Sequence, residues 1–174
     1  MKVKTLEIIG IFGVFLIGVF LYFAYDIFNQ SQFIAMIAPV NRSLWELLKV
    51  PFYSVLFYGL IVQLFAKGEH NNIIFAKAFS AIVTSIFALM MHFGYTAFFD
   101  QHILLDTTAF FVAVVLGQFL SLGILNIRGH VTWINFVGIL LLMTVSITFA
   151  TYTYEPPNHE LFHDTKTNSY GIPR

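Results

Sequence analysis

The chain has 174 residues, 58% hydrophobic and 10% charged, with nine basic and nine acidic side chains and no cysteine. Those figures exclude a soluble globular domain, which carries about 25% charged residues and lacks the interior to bury so much apolar side chain. They also exclude disulfides, thiolate metal sites and cysteine nucleophiles and, at a formal net charge of +0, give no case for nucleic-acid binding.

Read from the N-terminus, the hydropathy predicts an all-α polytopic membrane bundle of five transmembrane helices. Each apolar run approaches the ~20 residues that a helix needs to cross about 30 Å of hydrocarbon. The first covers residues 8–25 and is closed by Asp26. It exceeds the roughly 7–15 apolar residues of a signal peptide and has no small-x-small cleavage site after it, so it reads as a retained span. Its Gly10, Gly13 and Gly18 offer small surfaces for close helix contact, within the chain or across a homodimer. The second run is 50–66, preceded by an amphipathic, interfacial helix from about Ser43. The third, 78–99, contains one ionisable group, His92; the fourth is 107–127 and the fifth 131–154. The alternating strands of a membrane β-barrel are absent.

The positive-inside rule sets the expected orientation. Lys2, Lys4, Lys67, Lys77 and Arg128 fall on one side, and Arg42, Lys49, Lys166 and Arg174 on the other. The short loops 67–77 and 128–130 carry the most weight, which predicts N-in, C-out in a bacterial cytoplasmic membrane. Residues 1–154 then form the transmembrane domain, and the polar 155–174 an extracytoplasmic tail or lid.

Residues 38–51, APVNRSLWELLKVP, are the most informative stretch. Ser43 and Glu46 match the S-x-x-E capping box, Trp45 suits the headgroup zone, and Glu46 and Lys49 stand three apart, close enough to pair. Pro51 predicts a kink on the way into the second span. One reading is a well-capped interfacial helix; the other places Glu46 in a polar cavity as an acid/base or cation site.

Asn41, Ser43, Trp45, Glu46, Leu48 and Lys49, together with Pro156, Pro157, Leu161, Phe162, Asp164, Tyr170 and Gly171, resemble the motifs of an uncharacterised family of small multi-span membrane proteins from Gram-positive bacteria. The resemblance implies a bacterial cytoplasmic membrane and two motifs that work together. It implies no activity.

The ionisable groups assemble an expected polar site on the outer face. Glu46, His92 and Asp164 are the acid/base candidates, and Asn41, Ser43, Trp45, Lys49 and Asp100 complete the motif surface. An intramembrane histidine is a functional hypothesis by default, beside the plainer role of a bundle-facing hydrogen bond. His92, His102 and His159 are candidate ligands for a divalent metal such as zinc, because imidazole and carboxylate suit that ion. His159 and His163 have i,i+4 spacing, yet the H-E-x-x-H pattern is not formed. The expected function is a membrane-embedded enzyme acting on lipid or lipoprotein. The alternatives are a small transporter or channel, or an accessory subunit whose partner is another membrane protein.

Overall fold

The computed structural model describes residues 2–66, 72–127 and 133–172. Lys67, Arg128, His130 and Arg174, on which part of the orientation argument rests, lie outside the described residues.

The described chain is helical: α1 (Val3–Ile27), α2 (Gln32–Ala35), α3 (Leu44–Leu47), α4 (Lys49–Phe65), α5 (Ile73–Thr96), α6 (Ile103–Leu125) and α7 (Trp133–Tyr154). A 3-10 turn (Glu160–Phe162) and the short strands β1 (His163–Asp164) and β2 (Ser169–Tyr170) follow. Among the described residues, five helical segments are long and apolar enough to cross a membrane, with α3 and α4 together making one of them, Leu44–Phe65. The all-α bundle expected from hydropathy is therefore present, and the helix boundaries differ from it in an instructive way. Helix α1 starts a turn before residue 8 and takes in Glu7, while α5 starts before residue 78 and takes in Lys77. Asp106 likewise falls inside α6.

The second span breaks where its sequence says it should. Pro51 has no amide to give the carbonyl of Leu47, so the ladder weakens there, and the helix divides at Leu48 (φ −64°, ψ −21°) into α3 and α4. Pro51 then occupies the first turn of α4, where a missing N–H costs little.

Helix α5 is the hub: it packs on α4, α6 and α7, while α1 closes the other side against α4 and α6. The small residues of α1 serve these intrachain contacts. A Cβ on Gly10 or on Gly13 would stand 2.6 Å from the Tyr58 ring, and one on Gly18 would strike Phe110. Among the helices, α7 docks chiefly on α5, with Gly138 laid against the backbone of Phe75.

A methyl group at Gly138 would lie 2.8 Å from Phe75 Cα and 2.9 Å from its nitrogen, and backbone cannot move aside as a side chain can. Gly138→Ala should therefore destabilise the α5–α7 contact by about 1–3 kcal/mol, read as a lower melting temperature in detergent. Gly123→Ala, which meets nothing within 4 Å, should melt like the parent.

Candidate functional site

The connections 28–43, 97–102 and 155–172 all fall at one end of the bundle, referred to as the tail end. Here the two sequence motifs meet around one buried charge. The Lys49 ammonium is fully buried and places its protons on Glu46 Oε2 (2.6 Å), the Ala35 carbonyl (2.7 Å) and the Thr153 hydroxyl. Glu46 in turn accepts from the Val40 amide (3.0 Å) and from Thr153 Oγ1 (2.8 Å). Both charges are thus satisfied inside protein, the condition under which a buried pair is tolerated. The capping box is only half formed. Ser43 Oγ accepts from the Glu46 amide (3.4 Å), but the Glu46 carboxylate turns to Val40 and Lys49, and Asn41 Oδ1 takes the Ser43 amide instead (2.9 Å).

The tail is an ordered hairpin fastened to that motif. Asn41 Nδ2 donates to the Gly171 carbonyl (2.8 Å), and the Arg42 amide donates to Asp164 Oδ2 (3.1 Å). Gly171 sits at φ +61°, where a Cβ would also collide with the Thr153 carbonyl, so glycine is required twice over. The Trp45 ring lies among Phe149, Tyr152 and Phe162 at centroid distances of 4.9–5.4 Å, joining α3, α7 and the tail. Asp164 is buried; burial alone would raise its carboxyl, but the amides of Lys166 and Arg42 and the Thr167 hydroxyl hold it below the ordinary carboxylate value.

Beside this junction a cavity of about 400 Å³ opens between α1, the α3–α4 segment, α5, α6 and the tail. Val19, Val50, Leu89, Ala109 and Phe110 are among its apolar lining, whereas Arg42, His92, Gln101, Asp106, Asp164 and Lys166 form the polar part. Val19, Phe23 and Ile103 belong both to this lining and to the exposed apolar surface, so the rim reaches the face that lipid would cover. His92, one turn from the end of α5, pairs through Nδ1 with Asp106 Oδ1 (2.8 Å), and the Tyr95 hydroxyl donates to the same oxygen. An ionised carboxylate only accepts, so it fixes the proton on Nδ1 and leaves the Nε2 lone pair for a molecule in the cavity.

The model of a family of unknown function, DUF6512, matches residues 1–172. The chain belongs to that family. Searches of curated proteins and of solved structures returned no match. The DUF6512 assignment and the apolar helices make this an integral membrane protein.

The predicted site residues divide into two groups. Asn41, Ser43, Trp45, Glu46, Lys49 and Asp164 are brought together as the junction, whose polar atoms are largely engaged with one another. His92 stands apart on the cavity. Asp100 is exposed in the α5–α6 connection and outside the cavity lining. The suggested metal ligands are not assembled: His102 Nδ1 accepts from the Leu104 amide, and His159 Nδ1 from the Leu161 amide. His163 closes the hairpin on Asn168. Among the described residues, no group of three or more His, Cys, Asp or Glu side chains is placed to hold a metal ion.

Sequence reasoning missed a second buried centre at the opposite end. Lys77 Nζ donates to Glu7 Oε2 (2.6 Å) and Gln118 Oε1 (2.9 Å), and lies 5.6 Å from the centroid of the Tyr58 ring. Among the described residues, Glu7 Oε1, Gln118 Nε2 and Ser121 Oγ are buried there with no hydrogen-bond partner.

Removing one member of the Glu46–Lys49 pair strands the other inside the bundle. Lys49→Met or Glu46→Gln should cost on the order of 3–5 kcal/mol, and the double variant should recover part of the loss; thermal unfolding of the three variants in one detergent checks this. The tail answers to pH. Because the docked Asp164 carboxyl lies below its free value, docking is at full strength above about pH 4 and weakens as pH falls through the lowered value. Trp45 emission, read in a Trp133→Phe background, should shift only below about pH 4, and Asp164→Asn should show the shifted emission at neutral pH.

Proposed function

We propose that the protein is a membrane-embedded enzyme acting on a lipid or lipoprotein, with His92 as the acid/base. It would sit in a bacterial cytoplasmic membrane with the tail end facing out. The observation that carries this reading is the His92–Asp106 pair on the wall of a cavity with a largely apolar lining and a cluster of polar and charged side chains. A volume of about 400 Å³ falls within the ~300–1,000 Å³ of small-molecule sites. In this arrangement Nε2 takes a proton from a water or hydroxyl as it attacks, then returns it to the leaving group, while Asp106 steadies the imidazolium. Of the three acid/base candidates from the sequence, Glu46 and Asp164 would hold the scaffold, and Asp106 would stand where Asp164 was expected.

One observation favours a second reading, a transporter or an accessory subunit. Glu7, Lys77 and Gln118 put charge and amide inside three helices, as a transport path requires.

Purified protein in vesicles of total bacterial lipid extract, followed by mass spectrometry of the lipids, separates the two. The enzyme reading expects new lipid products from the parent, reduced about 10²–10⁴-fold in His92→Gln and little changed in Glu7→Gln. Products that persist undiminished in His92→Gln, or no products at all, would sink it. Solute uptake lost in Glu7→Gln would establish the second reading.

A further inference from the structure

We infer that the cavity takes an amphiphile with an anionic, phosphate-type headgroup, and that Arg42 and Lys166 select it. This deepens the reading of the cavity as a lipid site, but concerns binding and not turnover.

The argument starts from where the acidic oxygens have gone. Both residues contribute their backbone amides, not their side chains, to Asp164: Arg42 N to Oδ2 at 3.1 Å and Lys166 N to Oδ1 at 2.9 Å. Thr167 Oγ1 adds a third donor to Oδ2 at 2.9 Å. The carboxylate that joins the two basic residues is therefore occupied by main-chain and hydroxyl hydrogens. Among the described residues, neither the Arg42 guanidinium nor the Lys166 ammonium has an ion-pair partner within 4.0 Å. The other carboxylate of the lining, Asp106, already accepts from His92 and Tyr95 on one oxygen.

A mouth with two uncommitted cations, one carboxylate taken on both oxygens and a second already shared by His92 and Tyr95 favours an anion over a zwitterion. A choline-type ammonium would need a free carboxylate or an aromatic cage, whereas a phosphate can take the planar fork of an arginine and the point charge of a lysine. The position of the pair points to a lipid-like molecule. Arg42 and Lys166 are exposed at the rim, and the lining behind them runs to Leu47, Val50, Leu89 and Phe110. A headgroup held at the rim would leave its chain directed into apolar surface, where it exchanges one apolar surrounding for another and adds no specificity of its own.

The tail hairpin gives this selection its geometry. Arg42 and Lys166 both give their amides to Asp164, so the bond that docks the tail also brings the two basic residues into one lining.

The test is a titration in neutral detergent with soluble short-chain probes: dioctanoyl phosphatidylglycerol, dioctanoyl phosphatidylcholine and inorganic phosphate. The expected result is saturable binding of the phosphatidylglycerol, at least tenfold tighter than either of the other two. Arg42→Gln and Lys166→Gln should each weaken it on the order of fivefold, while Lys4→Gln, at the far end of the bundle, should leave it unchanged. Ala109→Trp, which fills the apolar lining, should weaken the lipid and not the phosphate. Equal affinity for the two lipids, or a preference that survives in Arg42→Gln/Lys166→Gln, overturns the proposal. Equal affinity for phosphatidylglycerol and inorganic phosphate overturns its lipid half and makes the rim a free-anion site. Unchanged melting temperatures of the surface variants certify that they fold. Binding without lipid turnover would refute the enzyme reading alone.

Discussion

The Lys49 ammonium carries three protons into a fully buried position, and the tail end of the molecule is arranged around that fact. Each proton needs an oxygen, and the oxygens come from different parts of the chain: Glu46 from α3, Ala35 from α2, and Thr153 from α7. A strongly hydrated point charge can be held in a bundle only if every donor is taken. Meeting that requirement draws the α1–α3 connection inward, sets the last turn of α7 against α3, and brings the following tail within reach of Asn41 and Arg42. The aromatic contacts of Trp45 with Phe149, Tyr152 and Phe162 then close the same junction with apolar surface.

The junction also decides what is left for chemistry. Glu46, Asn41, Ser43 and Asp164 spend their polar atoms on one another, on Lys49 and on main-chain groups, so the residues most conspicuous in the sequence are the least available to a ligand. The groups that remain are those whose main chain serves the junction while the side chain does not, Arg42 and Lys166, and those on α5 and α6 that lie beyond it, His92 and Asp106. At the proposed site, Arg42 and Lys166 would be positioned by main-chain hydrogen bonds that their side chains do not make. Binding a ligand then need not break what holds the site in place.

Much of this fold was legible in the sequence because lipid leaves the backbone few options. Long apolar runs must be helices, and the S-x-x-E and Pro51 signals marked the entry to the second span to within a turn. The Glu46–Lys49 spacing announced its ion pair. What apolar runs could not disclose was the charge inside a span, since such runs are delimited by charges in the first place. Glu7 and Lys77 were therefore placed outside apolar runs whose helices contain them. A signal did exist: around Lys77, the residues Ala76, Ala78, Ser80, Ala81 and Thr84 are small or hydroxylic, and all are buried. That marks a helix face packed against protein, where a lysine near one end must find a partner. The cavity was not legible, because its lining comes from five stretches of chain distant in sequence. The His92–Asp106 pair was half legible: His92 stood out as the one ionisable group of its apolar run, whereas Asp106, just before the fourth run, gave no signal of its own.

The two buried ion pairs are not equivalent, and the difference follows from how many neighbours each can recruit. At the tail end, four chain segments converge and the hydrogen bonds of Lys49 and Glu46 are complete. At the opposite end, the partners of Lys77 come from the helices α1 and α6, and among the described residues acceptor and donor capacity remains on Glu7, Gln118 and Ser121. Between the two centres, the buried hydroxyls of α5 close on carbonyls: Ser80 on Gly117 at 2.7 Å, Thr84 on Ser80 at 2.7 Å and Ser85 on Ala81 at 3.0 Å. Helix association in lipid gains little from apolar burial and relies on close packing and polar contacts. Placing one paired charge near each end and self-satisfied hydroxyls between them supplies both without leaving an open charge at mid-depth. The complete centre acts as a fastener. Any polar ligand that enters the bundle from the far side would meet the incomplete one.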